Sequence, residues 1–198
     1  MRQFTCDPAL FTDLLEIVKK KDIKVNDSRE FTSGTGRTQS YGIINRPLGG
    51  RGIGLCKNNY IFPEILSLAR GLATVLCPEI NYTSVMLNQN YVASPHVDKN
   101  NLGDSLVVGF GDYEGGELVV NDVAYDIRYQ PIVMDASKHI HYVKPITSGT
   151  KYSIIFFRNK FPKKFYAKYG NDLTYDEMAM LIPPLGPGQV TSQVKIAF

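Results

Sequence analysis

The chain has 198 residues, with 22 Lys and Arg against 19 Asp and Glu for a net charge of +3. That balance is ordinary for a globular protein and predicts one domain over residues 1–198 with one sizeable core. Twelve Tyr and ten Phe without Trp, and seventeen Gly, argue against a helical bundle and for strands and turns.

The first residues, Met1 to Asp7, hold no apolar signal core, and no run reaches membrane length. Cys6, Cys56 and Cys77 are odd in number and lack metal spacing, so they read as reduced thiols. Together these predict an intracellular protein, neither secreted nor membrane-bound. Residues 8–21 read as an amphipathic helix. Asp7 is its N-cap, Pro8 its first residue, and Leu10, Leu14, Ile17 and Val18 its apolar stripe. Residues 27–59 are rich in glycine and carry Arg29, Arg37, Arg46 and Arg51, opposed only by Asp27 and Glu30. They match no P-loop. Two readings stand: a solvated loop with a short strand at Tyr41 to Asn45, or a mobile basic lid touching substrate phosphates. Residues 62–76 make a second helix, ended by Pro78.

From Tyr82 the period becomes that of strands. The pattern predicts them near 83–91, 93–98, 104–110, 116–120, 124–128, 131–135, 138–144 and 151–158, with glycine-rich turns between several of them. Eight short strands suit a jelly roll. Asn88 and Asn90 share a face of the first, either lining a pocket or bonding to neighbouring strands. Arg158 to Tyr169 holds five cations and four aromatics without an acid. It reads as a solvated strand end whose aromatics reach the core, or as a stretch that follows a nucleic-acid backbone. Residues 174–181 suit a short helix.

All three histidines, His96, His139 and His141, fall in one stretch. On an extended segment His96 and Asp98 point to one side. With one later histidine they make a two-His-one-carboxylate face, a donor set with open positions suited to non-haem Fe(II) oxygen chemistry. Residue chemistry alone leaves His139 and His141 in competition.

The metal motif, with a proline four residues after His141 and a cation ten after it, resembles the Fe(II)/2-oxoglutarate dioxygenases. Thr83 to Asn90, Pro95 to Asn101 and Gly111 to Leu118 are most similar to the TET/JBP branch, which oxidises the methyl group of 5-methylcytosine or thymine. The resemblance covers roughly residues 80–158. It implies a double-stranded β-helix (a cupin-like jelly roll) with flanking helices, and Fe(II), 2-oxoglutarate and O2 as cofactor and co-substrates. It assigns His96, Asp98 and His141 to the metal, since Pro145 and Lys151 fit the count from His141. It assigns Lys151 and Ser153 to the distal carboxylate of 2-oxoglutarate, where the family usually has arginine. Asn88 and Asn90 join them as candidates for the co-substrate pocket. Asn101, three residues after Asp98, falls where the branch contacts the target base, although Asn100 to Gly103 is also plain turn chemistry. Arg37, Arg46 and Arg51 become candidate phosphate contacts, and a monomer acting on nucleic acid, DNA above RNA, is expected.

Two rivals remain. A prolyl hydroxylase would suit Lys151, because some prolyl hydroxylases use lysine there. A non-catalytic nucleic-acid-binding jelly roll would not need the intact His96, Asp98 and His141 set.

Overall fold

The structure, a computed structural model, describes residues 1–21, 34–45 and 52–182. In chain order it runs β1 (Arg2–Gln3), a 3-10 turn at Pro8–Phe11 leading into α1 (Thr12–Lys20), β2 (Gly34–Asn45), β3 (Ile53–Leu55), α2 (Asn58–Ile61) and α3 (Pro63–Leu76). Then follow β4 (Ser84–Ala93), β5 (Ser105–Gly115), β6 (Leu118–Val120), β7 (Val123–Tyr125), β8 (Ile132–Met134), β9 (His141–Val143), β10 (Ile146–Phe157), α4 (Lys163–Tyr169) and α5 (Tyr175–Leu181). Asp7 caps the first turn through its side chain, as expected.

The strands form a seven-stranded sheet in the order β1-β8-β5-β10-β4-β2-β3 and a three-stranded sheet in the order β7-β6-β9. All ladder pairs are antiparallel. This is the expected jelly roll with flanking helices. Strand alternation sorts the large sheet into two faces. Val85 and Leu87 of β4, Leu106, Val108 and Phe110 of β5, and Tyr152, Ile154 and Phe156 of β10 pack against Phe11, Leu14 and Val18 and against the apolar side of α3. The intervening residues, Met86, Asn88, Ser105, Val107, Lys151, Ser153 and Ile155, face the other way, into a cavity whose wall includes Leu118 and Val143 of the small sheet. Burying one apolar face under two helices leaves the opposite face free to carry polar chemistry.

Three expectations change. The short strand foreseen at Tyr41 to Asn45 is the end of a twelve-residue strand, β2, paired with β4 from Gly34 to Gly42 and with β3 from Ile43 to Asn45. Its glycines hid it, because glycine is depleted in strands. Residues 93–98 are not a strand; His96 makes one isolated bridge to His141. The cationic stretch after Phe157 is not a strand end but leads into α4, whose Phe165 is fully buried with Ile43, Ile53, Phe161, Met178 and Ile182 in a small separate core. Its aromatics serve that core, while Lys160, Lys163, Lys164 and Lys168 are exposed. Arg29, Arg46 and Arg51 lie outside the described residues.

Candidate metal centre

His96 and His141 are brought together by backbone. The His96 N–H donates to the His141 carbonyl at 3.0 Å, and the His141 N–H donates back at 2.9 Å. Their rings lie 4.3 Å apart, centre to centre. Asp98 is held by its own N–H, which donates to the Ala136 carbonyl at 2.9 Å. The Asp98 carboxylate stands 3.6 Å from His96 Nε2 and 4.0 Å from His141 Nε2. One ligand atom from each of the three residues falls within 4.8 Å of the other two.

The rings are also set in the correct tautomer. His96 Nδ1 meets the Ser94 carbonyl at 2.7 Å and His141 Nδ1 meets the His139 carbonyl at 2.9 Å. A carbonyl only accepts, so both Nδ1 atoms carry the proton and both Nε2 lone pairs turn toward Asp98. Burial pushes the His141 imidazole below its ordinary value, which favours the neutral, ligating form. Two neutral imidazoles and a carboxylate on one face fit a divalent first-row metal with open positions, the donor set of non-haem iron.

His139 takes no part. Its ring turns away to Asn121, with Nδ1 2.8 Å from the Asn121 amide. Residues 139 and 141 would share a face only in a continuous strand, and β9 begins at His141.

The cavity beside the three ligands holds about 160 Å³. Lys151 enters it from β10 and is 2% exposed. Its ammonium donates to the Gly116 carbonyl and lies 5.7 Å from the Tyr113 ring centre. Asp126 and Glu117 act on it only by Coulomb attraction, and burial outweighs them, lowering its pKa to about 8. Gly116, at φ +68°, has no room for a side chain: a Cβ there would come within 3.0 Å of the Lys151 stem. Two residues along the same face, Ser153 Oγ accepts from Asn88 Nδ2 at 3.3 Å, while Asn88 Oδ1 is buried without a partner. Turning that amide over would let Ser153 donate to Oδ1 and aim two N–H groups into the cavity. A buried ammonium and a buried amide without full partners make a site that a carboxylate would complete.

Asn90 and Arg37 lie elsewhere, Asn90 following the second of its two readings, a bond to a neighbouring strand. Asn90 has φ +48° at an irregularity in the β2–β4 ladder, so the alternation shared with Asn88 breaks there. Its side chain instead accepts from the Lys151 N–H at 2.8 Å, outside the cavity. Arg37 is opposite Gln89, which is opposite Tyr152. Tyr152 belongs to the helix-covered core, so Arg37 is on the sheet face away from the metal ligands. Asn101 does line the cavity, but its amide donates to Asp98 Oδ2 at 3.1 Å. One feature was missed in the sequence: the segment Arg158 to Lys160 is hydrogen-bonded along the metal loop, which places Lys160 and Lys99 side by side at its rim.

No family model matches the sequence, and a search of curated proteins finds no match. Solved structures are similar in fold. NgTET1 in complex with 5mC DNA matches at TM-score 0.50 and 15% identity, over 81% of this chain and 74% of that one. A prolyl-4-hydroxylase of Pseudomonas putida matches at TM-score 0.49 and 15% identity, over 80% and 92%. The viral collagen prolyl hydroxylase of Paramecium bursaria Chlorella virus-1, in its 2OG complex, matches at 0.48 and 14%, over 79% and 93%. The likeness to NgTET1 is one of fold.

Proposed function

We propose that the chain is an Fe(II)- and 2-oxoglutarate-dependent dioxygenase that hydroxylates a C–H bond, and that its target is the methyl group of 5-methylcytosine or thymine in nucleic acid. The observation that carries the reading is the pairing of the three converging ligands with a buried, carboxylate-free Lys151 in one cavity. When bound, Fe(II) with 2-oxoglutarate and O2 supplies the hydroxylating chemistry. The chain supplies the rest. His96, Asp98 and His141 hold the metal, with the Ser94 and His139 carbonyls keeping both Nδ1 protons in place. Lys151 pairs with the distal carboxylate as a point charge, and Asn88 donates to it from the same face, its amide oxygen taking the one Ser153 proton. Met86, Val107, Leu118 and Ile155 line the same cavity and exclude water from it.

The nucleic-acid part of the reading rests on the rim. Lys160 is bonded to the Lys99 carbonyl through Nζ at 2.7 Å and to the Asn100 carbonyl through its N–H, also at 2.7 Å. That fixes two exposed cations next to the loop bearing Asp98, with Lys163 and Lys164 just beyond. A base entering the cavity would leave its flanking phosphates at this rim. The likeness to NgTET1 in complex with 5mC DNA agrees with it. The test is to supply Fe(II) and 2-oxoglutarate with methylated or thymine-bearing oligonucleotides, and separately with proline-containing peptides, and to measure succinate and modified products by mass spectrometry. Oxidised nucleosides support the reading. Hydroxyproline with unmodified nucleosides would replace the substrate, and absence of succinate in every mixture would remove the activity.

A further inference from the structure

The Asp98 side chain is 38% exposed and that of His96 35%, against 9% for His141. The His96 ring is held through Nδ1 at the Ser94 carbonyl, whereas the Asp98 carboxylate has the Asn101 amide as its hydrogen-bond partner. A carboxylate that turns offers different oxygens to a metal at different moments, which weakens binding unless another group fixes it.

We infer that Asn101 is a positioning residue for the metal, its buried amide holding Asp98 Oδ2 so that Oδ1 stays turned toward His96 Nε2. The inference rests on the metal-binding reading above. Asn101 is 6% exposed, and its Nδ2 donates to Asp98 Oδ2 at 3.1 Å. The turn itself does not need that side chain. The Asn101 N–H closes it onto the Asp98 carbonyl at 2.8 Å, and neighbouring backbone groups tie it down. Lys160 N–H donates to the Asn100 carbonyl at 2.7 Å, and Leu102 N–H donates to the Arg158 carbonyl at 2.8 Å. Backbone hydrogen bonds therefore make the loop, and the amide is left for the carboxylate. The residues behind are equally fixed. Asn101 bridges Asn159, whose own side chain donates to the Ile43 carbonyl at 3.1 Å and to Ser84 Oγ at 2.5 Å. The loop is thus tied to the large sheet on one side, and on the other its Asn101 amide reaches the Asp98 carboxylate.

The test measures metal affinity without turnover. Asn101→Leu keeps the branched shape without a donor, and Asn101→Ala removes both. Each full-length variant and the native chain are titrated with Co(II), following the visible bands of the bound ion, and the metal-free proteins are melted in parallel. Loss of a group that orients a ligand weakens metal binding tenfold to a hundredfold. The expected result is that loss in both variants, with altered Co(II) bands and a metal-free melting midpoint within about 3 °C of native. A folded variant with native affinity and native bands overturns the inference. So does failure of both variants to fold without metal, which would make the side chain structural. If the native chain binds no Co(II), the dioxygenase reading itself fails, a result separable from the other two.

Discussion

Replacing Lys151 with methionine should make the protein more stable and a weaker binder of 2-oxoglutarate at once. The side chain is 2% exposed, and burial has moved its pKa from the ordinary 10.5 to about 8. At 1.36 kcal/mol per tenfold, the charged form is disfavoured by about 3 kcal/mol. The lysine binds its proton more tightly in the unfolded chain than in the folded one. Destabilisation is therefore fully present below about pH 8 and fades as the pH rises toward 10.5. Methionine has similar volume, no charge and no pH dependence. Urea unfolding of the metal-free Lys151→Met protein at pH 7 should show a gain of about 1–3 kcal/mol, the range for replacing a buried charge with an apolar side chain. The gain should shrink through pH 8 to 10. Comparing the two proteins at each pH cancels the other titrating groups. The same substitution should weaken 2-oxoglutarate binding about tenfold to a hundredfold, since a charge-assisted hydrogen bond to a carboxylate contributes roughly 1.5–3 kcal/mol. A pH-independent difference, or a variant several kcal/mol less stable at pH 7, would show that the ammonium has a carboxylate partner in the folded chain and would remove the argument that it receives an anion.

His96→Ala, Asp98→Ala and His141→Ala should each remove Co(II) and Fe(II) binding, while His139→Ala should keep it; equilibrium dialysis decides, and the reverse result for the two later histidines would move the ligand. Gly116→Ala places a methyl at φ +68° within 2.9 Å of Ile146 and 3.0 Å of Lys151. It should lower stability by about 1–2 kcal/mol and weaken 2-oxoglutarate binding, read by urea unfolding and calorimetry. Lys160→Ala should reduce the slope of log affinity for an oligonucleotide against log salt by about 0.9, one phosphate contact. Arg37→Ala, on the opposite sheet face, should leave that slope unchanged, and the opposite ranking would put the phosphate path on the other side of the sheet.

The meeting of His96, Asp98 and His141 was legible because three histidines in one stretch, a His-x-Asp and a proline and lysine at fixed distances leave few alternatives. The place of Lys151 in the same cavity was legible for the same reason. The strands of the jelly roll were legible where β-branched and aromatic residues alternate, as in β5 and β10. β2 was not, because Gly34, Gly36 and Gly42 have weak strand propensity and the strand is held by its long pairing with β4. Pairing is a tertiary fact that local propensity does not contain. Side-chain direction failed for the same reason at Asn90 and Arg37: one left-handed residue shifts which face its neighbours occupy. The donor of Asn101 could have gone to a turn, a base or a ligand, and only the folded loop distinguishes them. Arg158 shows the opposite case, a cation that reads as surface in sequence yet is 4% exposed, donating to Asn81 and to the Asn171 and Leu173 carbonyls.

The reciprocal hydrogen bonds between His96 and His141 bear on how the protein would live with and without iron. Two of the three proposed ligands are fixed to each other by main chain alone. In a zinc finger the ion is the folding nucleus, and a chelator unfolds the domain. Here the ligands are already gathered, so little ordering free energy is drawn from the binding step. Iron uptake and loss would then be exchange reactions on a finished scaffold, governed by supply and oxidation state. A molecule stripped by a chelator, or emptied when iron is scarce, would persist as a folded apoprotein and regain its metal without passing through the unfolded chain.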